Sequence, residues 1–221
     1  MRRFRIIHSG RPLAAAVLVP LLLAAFPVKL SARLGDTPFA SRLSLGIELG
    51  YSQGLFYHHG FNILSHDGYR LHSSESGFRS GSNGYALVTL GYELSRRSVV
   101  AVNAGYKGVS RDERFFPLGL RYSFFPSGVE HDGFFSCADA SLGFSSRLGM
   151  RTRLGYMAMI GEGYRFKLSP TANLDFILSA GCAFDSPEIP DPEGPGYVSE
   201  HNILSNFAGY YALNFSIALS F

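Results

Sequence analysis

The last twelve residues, YYALNFSIALSF, alternate without interruption: Tyr211, Leu213, Phe215, Ile217, Leu219 and Phe221 occupy one parity, and Ala212, Asn214, Ser216, Ala218 and Ser220 the other. A side-chain period of two belongs to a strand, because the apolar stripe of an amphipathic helix recurs every three to four residues. The two faces are unusual for a water-soluble sheet, which buries its bulky face and dresses the other with charged residues and threonine. Here the second face is small and nearly uncharged. The pattern predicts a strand with large residues turned outward into an apolar medium and small ones turned into a confined interior.

Seven earlier runs share this character. The first (42–51) sets Leu43, Leu45, Ile47, Leu49 and Tyr51 against Ser44, Gly46, Glu48 and Gly50. The others are predicted over 85–94, 99–107, 115–125, 134–146, 152–167 and 173–184. In the sixth, Glu162 falls on the face that carries Leu154, Tyr156, Ile160 and Tyr164, and a bulge is expected there to restore the phase. The gaps alternate in length. Those at 52–84 and 185–208 are long and fall on one side of an up-and-down meander, whereas an even strand number puts both termini on the other side, with the tight turns at 95–98 and 168–172. The gap at 126–133 is longer than this scheme favours, and the one at 147–151 is shorter.

The chain begins with Arg2, Arg3 and Arg5, followed by an apolar run from Leu13 to Phe26 and the small-residue site Leu30-Ser31-Ala32. Residues 1–32 are read as a secretory signal cleaved after Ala32, with Ala40 as a second cleavage position; Pro20 interrupts the run, which argues against a retained anchor. The signal holds five of the 20 basic residues and none of the 17 acidic ones. The net charge of +3 is therefore a property of the signal, and residues 33–221 are slightly acidic, which gives no surface for nucleic acid. That segment is expected to form one domain.

Signal, alternation, loop asymmetry and the aromatic terminus together resemble the small eight-stranded outer-membrane proteins of the OmpA and OmpX type, over essentially all of 33–221. The resemblance implies an all-β fold, an eight-stranded antiparallel up-and-down transmembrane β-barrel, in the outer membrane of a Gram-negative bacterium. It also implies a surround of outer-membrane lipid and recognition of the C-terminal strand by the barrel assembly machinery. Tyr51, Tyr92, Tyr106, Tyr122, Phe124, Tyr211 and Phe221 would then supply aromatic girdles. It implies no single function, since such barrels do not share one.

Inward ionisable residues form the sharpest constellation. Symmetric turns put Arg121 opposite Asp139 and Arg165 opposite Asp175, and the four are expected to form an alternating-sign belt near the periplasmic end, with Glu48 and Glu93 across the lumen. Confined charges favour pairing, so the belt reads as a plug, with a proton or ion path as the alternative. An interior just wide enough for side chains argues against a general porin.

No catalytic residue, cofactor or metal ligand is expected. His72, Ser74 and Glu75 share one predicted loop, where nothing aligns a base with a nucleophile. His58, His59, His66 and Asp67 lack a rigid metal-ligating spacing. Cys137 is assigned inward and Cys182 outward on non-adjacent strands, which predicts no disulfide. Any specific function falls to the loops. The first mixes Phe56, Tyr57, Phe61, Tyr69 and Phe78 with Gly, Ser and His, and part of it is expected to lengthen the flanking strands; the last is stiffened by Pro187, Pro190, Pro192 and Pro195. The expected role is structural or surface-interacting, through an extracellular protein or glycan partner. The alternatives are a rim enzyme acting on lipid A or peptides, and a secreted lipocalin-like barrel with its bulky residues inside.

Overall fold

Eight strands follow one another around a cylinder in the computed structural model, which describes residues 40–65, 67–111, 113–147 and 151–221. The expected signal over 1–32 lies outside the described residues. The strands are β1 (Leu43–Leu64), β2 (Arg70–Ser95), β3 (Ser98–Gly108), β4 (Glu113–Phe124), β5 (Gly133–Arg147), β6 (Arg153–Ser169), β7 (Ala172–Asp185) and β8 (Ile203–Ser220). Each pairs antiparallel with the next, and β8 pairs with β1 to close the barrel. Leu45 and Phe221 exchange backbone hydrogen bonds of 2.9 and 2.8 Å at the seam. Closure leaves the barrel wall without an unpaired edge, the condition for crossing a bilayer with strands.

The alternation read from the sequence sets the two faces. Along β4 burial and exposure alternate at every residue, with Arg121 and Ser123 inside and Leu118 and Leu120 about 60% exposed outside. Glu48, Ser52, Asn103, Asn214 and Ser216 are inaccessible in the interior. Bulky-out and small-polar-in is the reverse of a lipocalin, and it is the arrangement of an outer-membrane-type barrel. Rows of rings flank the apolar belt. Phe134, Tyr164, Phe166 and Phe176 are in mutual contact toward the periplasmic end, and Tyr106 packs on Phe116 near the other. The ten steps from Tyr156 to Phe166 span about 33 Å of strand, or about 25 Å of height at the usual tilt.

Three expectations need correction. The sixth strand has no bulge at Glu162: its pairing with β5 and β7 is continuous there, so the carboxylate stands on the outer face. The gap at 52–84 is strand extension almost throughout and not only in part, since β1 and β2 stay paired up to Leu64↔Arg70, with a register shift between Gly54 and Phe56 that turns Tyr57 inward and leaves Phe56 outside against Phe78. Along β2 the extension is largely exposed on both faces, and on β1 beyond Phe56 only Tyr57 and Ile63 are buried, so no sustained hydrophobic alternation marks it. Likewise β8 begins at Ile203, pairing with Ile63, and makes the protruding sheet three strands wide. The long turn after β4 folds under the lumen. Val129 N–H donates to Arg96 O at 2.8 Å, Phe125 N–H to Arg97 O at 2.7 Å, and the Val129 side chain is buried beneath the barrel.

Candidate functional site

Inward side chains from all eight strands divide the lumen into layers. In the middle layer, Arg121 Nη1 donates to Glu48 Oε2 at 2.5 Å and its Nε to Asp139 Oδ2 at 3.3 Å. Glu48 Oε1 accepts from Tyr85 OH at 3.0 Å and from Ser216 Oγ at 2.8 Å, while Asn103 Nδ2 donates to Asp139. Lys107 completes the charge balance, with Nζ 4.7 Å from the centre of the Tyr85 ring and 3.2 Å from Met159 Sδ. Toward the extracellular side, Asn214 joins Ser52 to Ser179. Two cations thus face two carboxylates with most of their polar atoms satisfied, which is how buried charge becomes tolerable. Space for the Tyr85 ring comes from Gly50, where a Cβ would lie 2.2 Å from Tyr85 Cζ.

Below this layer sits an apolar one, in which Phe125, Val129, Phe135, Cys137 and Ile177 pack together. Beneath it Arg165 forms a two-pronged pair with Asp175, Nε to Oδ1 at 2.8 Å and Nη2 to Oδ2 at 2.7 Å, and its guanidinium lies 4.3 Å from the Phe125 ring centre. Both predicted pairs, Arg121–Asp139 and Arg165–Asp175, stand directly opposite in register. They do not form one belt, because the apolar layer separates them. Glu48 joins the upper pair, whereas Glu93 lines the periplasmic mouth with Arg42, Arg96, Arg97 and Glu130. Tyr85 was missed as a partner. The second run, 85–94, carries the signal: the parity that turns Thr89, Gly91 and Glu93 inward also turns Tyr85 inward, beside Glu48.

At the end of the barrel opposite the β2–β3 turn the long connections pack on one another. The hydroxyls of Ser65 and Tyr69, at the hairpin tip, both donate to Glu193 Oε1 at 2.6 Å. That hydrogen bond to the Glu193 carboxylate holds the Tyr69 phenol above its ordinary pKa. The last loop doubles back on itself through Val198 N–H to Ile189 O, burying Ile189, and Asn206 Nδ2 ties it to β8 by donating to Pro187 O at 2.5 Å. Glu188 anchors the neighbouring rim, with Oε2 accepting from Arg151 N–H at 3.1 Å and Oε1 3.6 Å from Arg151 Nε.

The remaining candidates do not converge. His72, Ser74 and Glu75 lie on β2 and not in a loop, opposite Asn62, Gly60 and His59; strand alternation turns Glu75 away from the other two. His58 Nδ1 is 2.7 Å from Ser76 Oγ and His59 Nε2 is 3.0 Å from Asn206 Oδ1, on opposite faces of β1. Asp67 is in the hairpin turn, and His66 lies outside the described residues. Among the described residues no group of three His, Cys, Asp or Glu is placed to hold a metal. Cys137 is free inside the barrel and Cys182 free on the wall.

No family model and no curated protein sequence matches the chain. Among solved structures it is similar to Neisserial surface protein A, at 15% identity over 79% of this chain and 96% of that one, with a TM-score of 0.37. It is similar to the outer membrane protein OprG from Pseudomonas aeruginosa at 12% identity, 80% and 95% coverage and a TM-score of 0.44. A third is Ail, the attachment invasion locus protein of Yersinia pestis, in complex with the heparin analogue sucrose octasulfate, at 12% identity, 80% and 99% coverage and a TM-score of 0.31. The architecture itself rests on the strand ladder: a closed eight-stranded barrel of the outer-membrane type.

Proposed function

We propose that this protein sits in the outer membrane as a plugged barrel and acts by engaging an extracellular polypeptide through its protruding sheet. The observation that carries the reading is the one-sided pairing of β2: over Arg70–Gly84 it is laddered to β1, while its pairing with β3 begins only at Tyr85. A strand edge held clear of the bilayer presents alternate N–H and C=O groups to an incoming extended segment, and backbone pairing then supplies affinity. Exposed Phe78 and Tyr69 would add side-chain contact. The hydrogen bonds from Ser65 and Tyr69 to Glu193 stiffen the sheet, so less order is lost on binding. The paired charges of the lumen favour a closed interior over a solute channel.

The test is made on whole cells and purified barrel together. A crosslinker placed at Ser74 should capture extracellular polypeptide, and replacing 56–78 by a tight turn should abolish capture while the heat-dependent shift of the folded band in SDS persists. Ready swelling of protein-loaded liposomes in small sugars would overturn the plug. A soluble, detergent-independent monomer would overturn the membrane assignment.

A further inference from the structure

Among the described residues, the outward positions between the two aromatic rows are uncharged except one, Glu162 on β6. Its place is not an accident of register, because the ladder runs unbroken through Ser136↔Glu162 and Glu162↔Leu178. Ser136 Oγ donates to Glu162 Oε2 at 3.0 Å, which orients the exposed carboxylate and leaves Oε1 for a second donor. A charge on a lipid-facing wall destabilises the barrel in proportion to its depth, so an unmatched carboxylate here would be a cost with no return.

What surrounds it specifies a match. One outward step toward the periplasm lie Phe134 and Tyr164, paired in register with ring centres 4.9 Å apart, and Phe166 packs on Tyr164 at 4.7 Å. A carboxylate accepts N–H bonds, and ring faces attract a cation; together they form a receptor for an ammonium group. One outward step toward the membrane centre the wall is low, with Ala138 and Ala180 on either side of Ile160, and Ala140 beside Ala158 above them. That shelf accepts acyl chains. A second copy of the chain would bring no cation to Glu162, since the outward belt between the aromatic rows holds none among the described residues.

We propose that Glu162, oriented by Ser136 and set above the Phe134–Tyr164 rings, holds the ammonium headgroup of an amine-bearing phospholipid of the periplasmic leaflet, whose chains lie on the alanine shelf. The inference rests on the outer face being a lipid-facing surface. It is tested by native mass spectrometry of the full barrel released from bilayers containing equimolar phosphatidylethanolamine and phosphatidylglycerol. The folded protein should retain the amine lipid about tenfold over the other, Glu162→Gln should abolish the preference, and Glu162→Asp should keep part of it. Equal retention of both lipids by the native sequence, an unchanged preference in Glu162→Gln, or a dimer that Glu162→Gln dissociates would overturn it. Retention is scored only on barrel that shows the heat-dependent shift; a chain that never inserts would remove the membrane reading as well, whereas an inserted barrel without lipid preference removes this inference alone.

Discussion

Arg121 on β4 reaches across the lumen to Glu48 on β1 at 2.5 Å while holding its in-register neighbour Asp139 at 3.3 Å. One guanidinium thereby links strands that share no backbone hydrogen bond. Removing it strands two carboxylates in a confined interior. Arg121→Ala should cost about 3–5 kcal/mol of unfolding stability in detergent, and adding Glu48→Gln should recover part of the loss. Strictly additive losses in the double-mutant cycle would show that Arg121 and Glu48 do not act as a unit.

Gly50 and Tyr85 form a complementary pair. A methyl group at position 50 would overlap the Tyr85 ring, so Gly50→Ala should destabilise the barrel by about 1–3 kcal/mol. In a Tyr85→Ala background the same change should be nearly neutral. Equal penalties in both backgrounds, read from urea unfolding curves, would place the cause in the backbone.

The Tyr69–Glu193 clasp gives a pH signature. Because the neighbouring carboxylate raises the phenol's pKa in the folded state, the clasp is fully present below the ordinary tyrosine value of about 10 and is lost as pH rises through the folded value. In the ultraviolet difference titration between native protein and Tyr69→Phe, Tyr69 should ionise later than free tyrosine. Glu193→Gln should bring it back, and a titration unchanged by Glu193→Gln would dissolve the clasp.

The two thiols report the two faces of the wall. Cys182 should react with a bilayer-soluble maleimide in the folded barrel, and buried Cys137 only after unfolding. Ready labelling of Cys137 in folded protein would mean that the lumen is wetter than its packing indicates.

Most of the barrel is legible in the sequence. Runs such as 115–125 declare both strand and orientation, because lipid outside and crowding inside impose opposite demands on successive residues. The same logic found the pairs Arg121–Asp139 and Arg165–Asp175 from turn symmetry. It fails at Ser52–Gly84, where β2 is largely exposed on both faces and alternation carries little signal, and at Glu162, where a charge on the apolar face suggests a bulge that the ladder does not contain.

Strand number, pairing order and the lipid-facing side of each strand are written in the chain, since they follow from a period of two and from loop lengths. Closure of the barrel selects Glu48 and not Glu93 to complete the Arg121 cluster, puts an apolar layer between the interior charges, and brings Ser65 and Tyr69 together on Glu193. Those contacts join strands or loops distant in sequence, and their geometry depends on barrel tilt and closure, which no local pattern encodes.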